Sequence, residues 1–158
     1  MYLSYDGMTD PLGQSQVLPY LSGLTKKGYS FTLISFEKKE KFQKRKDRIQ
    51  ELCDEATIYW IPLTYTKFPP VFSTLKDVQL LHRKVKQLHK AKNFAIIHCR
   101  SYITALVGLE MKQKYGVKFI FDMRGFWADE RVDGKIWDLK NPIFKTIYHY
   151  FKKKKDSF

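Results

Sequence analysis

The sequence predicts an α/β fold, doubly wound around a mainly parallel, Rossmann-like sheet with helices on both faces. Three observations point there. Short apolar runs rich in β-branched and aromatic residues alternate with segments of helical spacing, the pattern of βαβ units. The runs are nearly all apolar rather than alternating, as strands covered on both faces require. Crossovers between parallel strands are right-handed, which limits the topology to a few choices. The 158 residues, 44% hydrophobic and 16% aromatic, read as one domain spanning 1–158 with material for a core.

Each element has a local reason. Residues 2–5 form a short strand ending at Asp6-Gly7. From Gln14 to Lys27 the apolar positions Val17, Leu18, Leu21 and Leu24 follow helical spacing, and Gly28 ends the helix by accepting a left-handed backbone. Residues 31–35 are a second strand, and 39–52 are highly charged but helical in propensity. Residues 57–61 are a third strand, closed by Pro62. Residues 62–72 read as a loop in which Pro69-Pro70 forbids helix, with Ser73 as the next N-cap. Leu75, Val78, Leu81, Val85 and Leu88 then step by three or four, the clearest amphipathic stripe in the chain. Residues 94–97 are a fourth strand running into His98. Residues 102–115 are a helix stopped by Gly116, and 117–121 a fifth strand. Asn141-Pro142 opens a basic, amphipathic terminal helix over 141–158, with Pro at the first helical position. Ile143, Phe144, Ile147, Tyr148 and Phe151 form its stripe, and lysines 152–155 follow.

Composition narrows the function. Lys and Arg number 29 against 16 Asp and Glu, a net charge of +13, with an isoelectric point near 9.7. That favours anionic partners, whether nucleic acid, an acidic membrane face or phosphorylated small molecules; the plainer reading is that much of it is solvated helix surface, and charge alone does not choose among these. Cys53 and Cys99 stand alone without a CxxC, so a reducing cytoplasm is the expected compartment. His82, His89, His98 and His149 lack metal-ligand spacing, and no metal is expected. No run approaches the ~20 apolar residues of a membrane span. The N-terminus has neither the basic start nor the apolar segment of a signal peptide.

In open α/β sheets ligands bind beyond the carboxyl ends of the strands, where strand order reverses. With strand order 3-2-1-4-5, three loops converge there. The first, residues 6–14, carries Gly7, Gly13 and Gln14 and is long for a βα connection, which usually runs ~2–6 residues. Gly13 would let backbone approach a ligand, and free N–H groups at the helix start favour phosphate or carboxylate. It is neither GxGxxG nor a P-loop, since Gln14 stands where the lysine would be. The second is His98-Cys99-Arg100-Ser101, where Arg100 suits phosphate or carboxylate and Ser101 suits a helix cap. His98 reads equally as a site residue or a buried histidine at a strand end. The third, residues 122–131, packs Asp122, Arg124, Gly125, Trp127, Asp129 and Glu130 together. Sugars stack on Trp, and carboxylates accept from hydroxyls. A structural turn with internal ion pairs is the plainer reading.

Two stretches, LSYDGMTDPLGQSQVLPYLSGLTKKGYSFTLISFE and IIHCRSYITALVGLEMKQKYGVKFIFDMRGFWADE, carry a resemblance. The chain is similar over about residues 2–151 to the N-terminal domain of family 4 (group 1) glycosyltransferases with the GT-B fold. The resemblance implies two Rossmann-like domains facing across a cleft. The N-terminal one binds mainly the acceptor. The C-terminal one binds most of the nucleotide-sugar donor and carries paired glutamates. Transfer retains anomeric configuration without a bound metal, and the glycine-containing loop at Gly7 to Gln14 touches donor phosphate or acceptor. Many members place a histidine after the fifth strand, where this sequence has Asp122-Met-Arg124-Gly125. Arg124 would stand in as a hydrogen-bond donor but not as a base.

The expectation is therefore an acceptor-binding half of a hexosyltransferase, inactive by itself, serving cell-surface polysaccharide or glycolipid synthesis. Arg124 and Asp122 are the candidate catalytic pair. Gly7, Gly13, Gln14, His98, Arg100, Ser101, Gly125, Trp127, Asp129 and Glu130 are candidates for binding donor phosphate or acceptor. The nucleotide-sugar is substrate rather than cofactor, and the acceptor is a sugar or a lipid-linked sugar. The terminal helix either packs on protein or meets anionic lipid at the inner membrane face. Two other readings stand beside this one. A basic nucleic-acid-binding α/β domain lacks any RNP, KH or helix-turn-helix signature, and no nucleic acid is expected. An NAD-type oxidoreductase, with Glu37 near the ribose-binding position, lacks the glycine fingerprint.

Overall fold

Tyr2 lies beside Leu33 on one side and His98 on the other, and both pairings are parallel. From this centre the computed structural model, which describes residues 1–69 and 71–158, builds one five-stranded sheet. Pro70, half of the pair expected to forbid helix, lies outside the described residues. The strands are β1 (Tyr2–Ser4), β2 (Phe31–Glu37), β3 (Ile58–Thr64), β4 (Ile96–Arg100) and β5 (Lys118–Asp122). They run in the order β3-β2-β1-β4-β5, all parallel, so the order reverses between β1 and β4 as expected. The α/β, doubly wound reading is the observed fold.

Helices α1 (Leu18–Thr25) and α2 (Lys39–Glu55) cover one face. Val17, Leu18, Leu21, Ile49 and Cys53 pack there on Tyr2, Leu33, Ile58 and Trp60. Helices α3 (Phe72–Lys92) and α4 (Tyr102–Tyr115) cover the other, where Leu81, Val85, Ala105, Val107 and Met111 meet Leu3, Ile34, Phe36, Ile97 and Cys99. A short helix α5 (Trp127–Asp133) and the terminal α6 (Pro142–Lys154) add a third cluster with Tyr102 and Ile103. Asn141 Oδ1 accepts the Ile143 N–H at 2.9 Å and caps α6 at the expected proline. Among the described residues no helix is long and apolar enough to cross a membrane.

Several boundaries differ from the sequence reading, each for a physical reason. The strand through Pro62 does not stop there, because β3 is an edge strand whose missing N–H costs no ladder bond. The first helical segment starts at Pro11 rather than Gln14, with the Gln14 N–H donating to Asp10 O at 3.2 Å. Ser73 is not the cap of α3; it lies buried inside the first turn and donates to Lys67 O at 3.4 Å. The fourth strand runs to Arg100, so His98, Cys99 and Arg100 are strand residues rather than a loop. Residues 127 to 131, expected in the loop after the fifth strand, are all helical.

The sheet is not covered on both faces throughout. The crossovers into β4 and β5 both move the same way along the sheet, so right-handedness puts α3 and α4 on one face. The opposite face of β4 and β5 is left open, with Ile96 40% and Ile120 45% exposed. That open face, beside α1, holds the candidate site.

Candidate functional site

The loop after β1 is organised by a buried carboxylate at the end of β2. Glu37 is 2% exposed and accepts four hydrogen bonds. Met8 N–H reaches Oε1 at 2.7 Å and Ser35 Oγ at 2.6 Å. Thr9 N–H reaches Oε2 at 3.1 Å and Thr9 Oγ1 at 2.5 Å. Gly7 is required beneath it, since a Cβ there would lie 2.6 Å from Glu37 Oε2. The close approach expected of Gly13 is to the loop itself, because a Cβ there would overlap the Gly7 carbonyl and lie 2.6 Å from Met8 Cα. Gln14 likewise serves the loop, donating to Thr9 O at 3.1 Å. Lys38, just before α2, and Lys41 within it pair with Asp10, and Arg45 donates to Thr9 O at 3.0 Å. Burial alone would raise the Asp10 carboxyl, but the bonds from Lys41 and Lys38 outweigh it and hold the group below its ordinary value. Part of the basic run of α2 is thus a clamp on this loop.

This loop delivers the chain into a wide π-helical turn, Gly13–Val17, closed by the Leu18 N–H donating to Gly13 O. Pro19 explains it: proline offers no N–H to Ser15 and would clash with that carbonyl, and the wider turn absorbs the misfit. Gln16 lies in the wide turn and Tyr20 beyond it, both on the cleft over the open face.

That cleft, of about 510 Å³, is lined by Tyr2, Gln16, Tyr20, His98, Arg100, Asp122 and Arg124. Arg100 is 3% exposed at the end of β4 and donates to Gln16 Oε1 at 2.8 Å. Arg124, exposed just past β5, donates to the same oxygen at 2.6 Å. Asp6 and Asp122 each bring a carboxylate oxygen to 3.6 Å from the Arg100 guanidinium, outside hydrogen-bonding range. Among the described residues Arg100 Nε and His98 Nε2 are buried without a hydrogen-bond partner. The His98 ring lies 4.6 Å from Tyr2 and 6.0 Å from Tyr20 between centroids. Burial lowers the pKa of His98, with Asp122 working against it. Burial pushes the Tyr2 phenol up to about 12, with Arg100 opposing.

Four candidates from the sequence, His98, Arg100, Asp122 and Arg124, are therefore brought together. The others are placed elsewhere. Ser101 occupies the N-cap position of α4 without a side-chain cap bond, and its N–H donates to Asp122 O at 3.0 Å, tying β4 to β5. Gly125 packs so closely on the Glu130 carboxylate that a Cβ would overlap it. Trp127 packs edge-on against Trp137 and Phe151, at 5.1 and 4.9 Å. Asp129 accepts from Tyr148 Oη at 2.8 Å and from Lys152 Nζ at 3.2 Å, docking α6. The α6 stripe faces its own domain through Phe151, Ile147 and Tyr148, while Ile143 and Tyr150 remain exposed.

Tyr2, Gln16 and Tyr20 were missed by the sequence reading. Their signal was slight: the inward stripe Val17, Leu18 and Leu21 leaves Gln16 and Tyr20 together on a flank, four residues apart. Among the described residues no three His, Cys, Asp or Glu side chains cluster in a way that could hold a metal ion. No protein-family model matches the chain, and no curated protein matches its sequence.

Proposed function

We propose that the chain is the acceptor-side half of a retaining glycosyltransferase of the GT-B type, moving a sugar from a nucleotide-sugar to a hydroxyl acceptor. One observation carries the reading: Arg100 and Arg124 converge on a cleft beside the strand-order reversal, where α/β sheets bind ligands. In such a transfer the bond from the anomeric carbon to the nucleoside diphosphate breaks, and negative charge grows on the leaving phosphate. Two permanent cations at that point offset it. Asp122, on the same wall, accepts the hydrogen of an acceptor hydroxyl, and the half-exposed Tyr20 ring offers a stacking face for a sugar. The motif order that resembles family 4 supports the assignment.

In the same reading the protein works in the cytoplasm, and the lysines of α6 meet anionic headgroups at the inner membrane face while its aromatic stripe stays packed inward. The test is transfer of labelled sugar from a panel of uridine- and guanosine-diphosphate sugars into a lipid extract, using the two-domain protein in which this half is joined to its donor-binding half. Transfer is expected, with Arg124→Ala reducing turnover by about 10²-fold. No transfer from any donor by the two-domain protein, donor-binding half included, overturns the reading.

A further inference from the structure

We infer that the cleft between Arg100 and Arg124 binds a phosphate group, and that Gln16 Oε1 holds the place of one phosphate oxygen until the ligand displaces it. The inference rests on the transferase reading only for the rest of the ligand, since the phosphate site stands on its own geometry.

Two guanidiniums repel each other, and here their shared acceptor is a single neutral amide oxygen at 2.8 and 2.6 Å. An anion between them makes stronger, charge-assisted bonds than an amide can. The cleft wall carries two permanent cations against one carboxylate, Asp122, and burial works against a charge on His98. Asp6 also faces Arg100, but it is half exposed and stands 3.6 Å away. Neither acid therefore satisfies Arg100 Nε, a buried donor with no hydrogen-bond partner among the described residues. Such a group in a native protein needs an explanation, and a ligand oxygen supplies one. Nearby His98 Nε2 is equally unpaired. These groups approach from different strands, β4 and the end of β5, which suits a tetrahedral phosphate better than a planar carboxylate. Gln16 can yield because it sits in the π turn, a local irregularity typical of functional segments. A volume of about 510 Å³ leaves room for the molecule that carries the phosphate.

The experiment titrates the 158-residue protein with inorganic phosphate, pyrophosphate, uridine diphosphate and glucose 1-phosphate at fixed ionic strength, by calorimetry. Preference for pyrophosphate and uridine diphosphate marks a donor phosphate, and preference for glucose 1-phosphate marks a phosphorylated acceptor. Both support the site. Gln16→Glu places a carboxylate between the arginines and is expected to weaken phosphate binding by about tenfold or more, as is Arg124→Ala. Gln16→Ala removes the competing oxygen without adding charge and is expected to bind at least as tightly as the unaltered protein. It decides the matter even if Gln16→Glu fails to fold.

No binding of any of the four probes at up to about 10 mM overturns the inference. So does a Gln16→Ala protein as weak as Arg124→Ala, which would make Gln16 a brace rather than a placeholder. Phosphate binding with the expected variant pattern but no sugar transfer by the two-domain protein keeps the site and removes the transferase reading. Sugar transfer with phosphate affinity unchanged in Gln16→Glu does the reverse.

Discussion

Glu37 holds Thr9 twice with one oxygen, taking its backbone N–H at 3.1 Å and its hydroxyl at 2.5 Å. The other oxygen takes the Met8 N–H and the Ser35 hydroxyl, and Ser35 in turn accepts the Trp60 indole N–H at 2.8 Å. A buried carboxylate thus replaces water for a loop that would otherwise bury two bare N–H groups. Because that loop launches the π turn, Glu37 also sets where Gln16 points.

Replacing Glu37 with Gln tests this. The amide keeps the shape but turns one acceptor into a donor facing N–H or O–H groups that are themselves donors. We expect a loss of about 2–4 kcal/mol of stability, read by urea denaturation at pH 7. A loss below ~0.5 kcal/mol would show that the loop does not depend on the carboxylate.

Glycines separate in the same way. Gly13→Ala should cost about 1–3 kcal/mol, because its Cβ meets backbone that cannot move aside, Gly7 O and Met8 Cα. Gly23, inside α1, has nothing among the described residues within 4 Å of an added Cβ. Gly23→Ala should stabilise the protein by about 0.5–1 kcal/mol through helix propensity and a less flexible unfolded chain. Thermal melts of the two variants should move in opposite directions; movement in the same direction would refute the loop packing.

These contacts mark what the sequence made legible. Strand positions followed from runs such as residues 31–35, whose apolar character is local information, whereas the strand order was the common one for five such strands and came from no residue. The reach of β4 was misread because His98 and Arg100 look like loop residues, yet they alternate with the inward Ile97 and Cys99, and Lys118-Phe-Ile-Phe-Asp122 alternates likewise. Period two was the sign of a half-open sheet. Arg100, Asp122 and Arg124 were accessible as polar residues at strand ends. Gln16 was not, because its partners lie 84 and 108 residues away. Nothing local to a helix says which long-range donors it will meet. The dense group Trp127, Asp129 and Glu130 was conspicuous for a different reason: it anchors α6, Arg131 and Gly125.

His98 makes stability depend on pH. Its ordinary pKa is 6.5, and burial beside Tyr2 and Tyr20 lowers it in the folded protein. The unfolded chain therefore binds a proton first. The stabilising contribution is fully present above pH 6.5 and is lost as pH falls from there through the lower, folded value. His98→Gln, which cannot titrate, should flatten the fall in stability between about pH 6.5 and 5. Urea midpoints measured across that range check it. Identical slopes for both proteins would mean that His98 protonates as easily folded as unfolded.

Asp129 distinguishes two roles. As an acceptor-orienting carboxylate it would face a substrate. In the structure it accepts from Tyr148 and Lys152, holding α6 against α5 beneath the Trp127–Phe151 contact. Its bond to the Tyr148 hydroxyl also raises that phenol's pKa. Asp129→Asn keeps a hydrogen-bond acceptor but removes the charge that attracts Lys152, so α6 should open more often. Amide hydrogen exchange in α6 at pH 7 should then quicken by roughly three- to tenfold, while exchange in β1 and β2 stays unchanged. Added salt should narrow the difference, because the Lys152 contact is partly exposed and screened. Unchanged α6 protection together with lost sugar transfer would move Asp129 out of the scaffold and into the site.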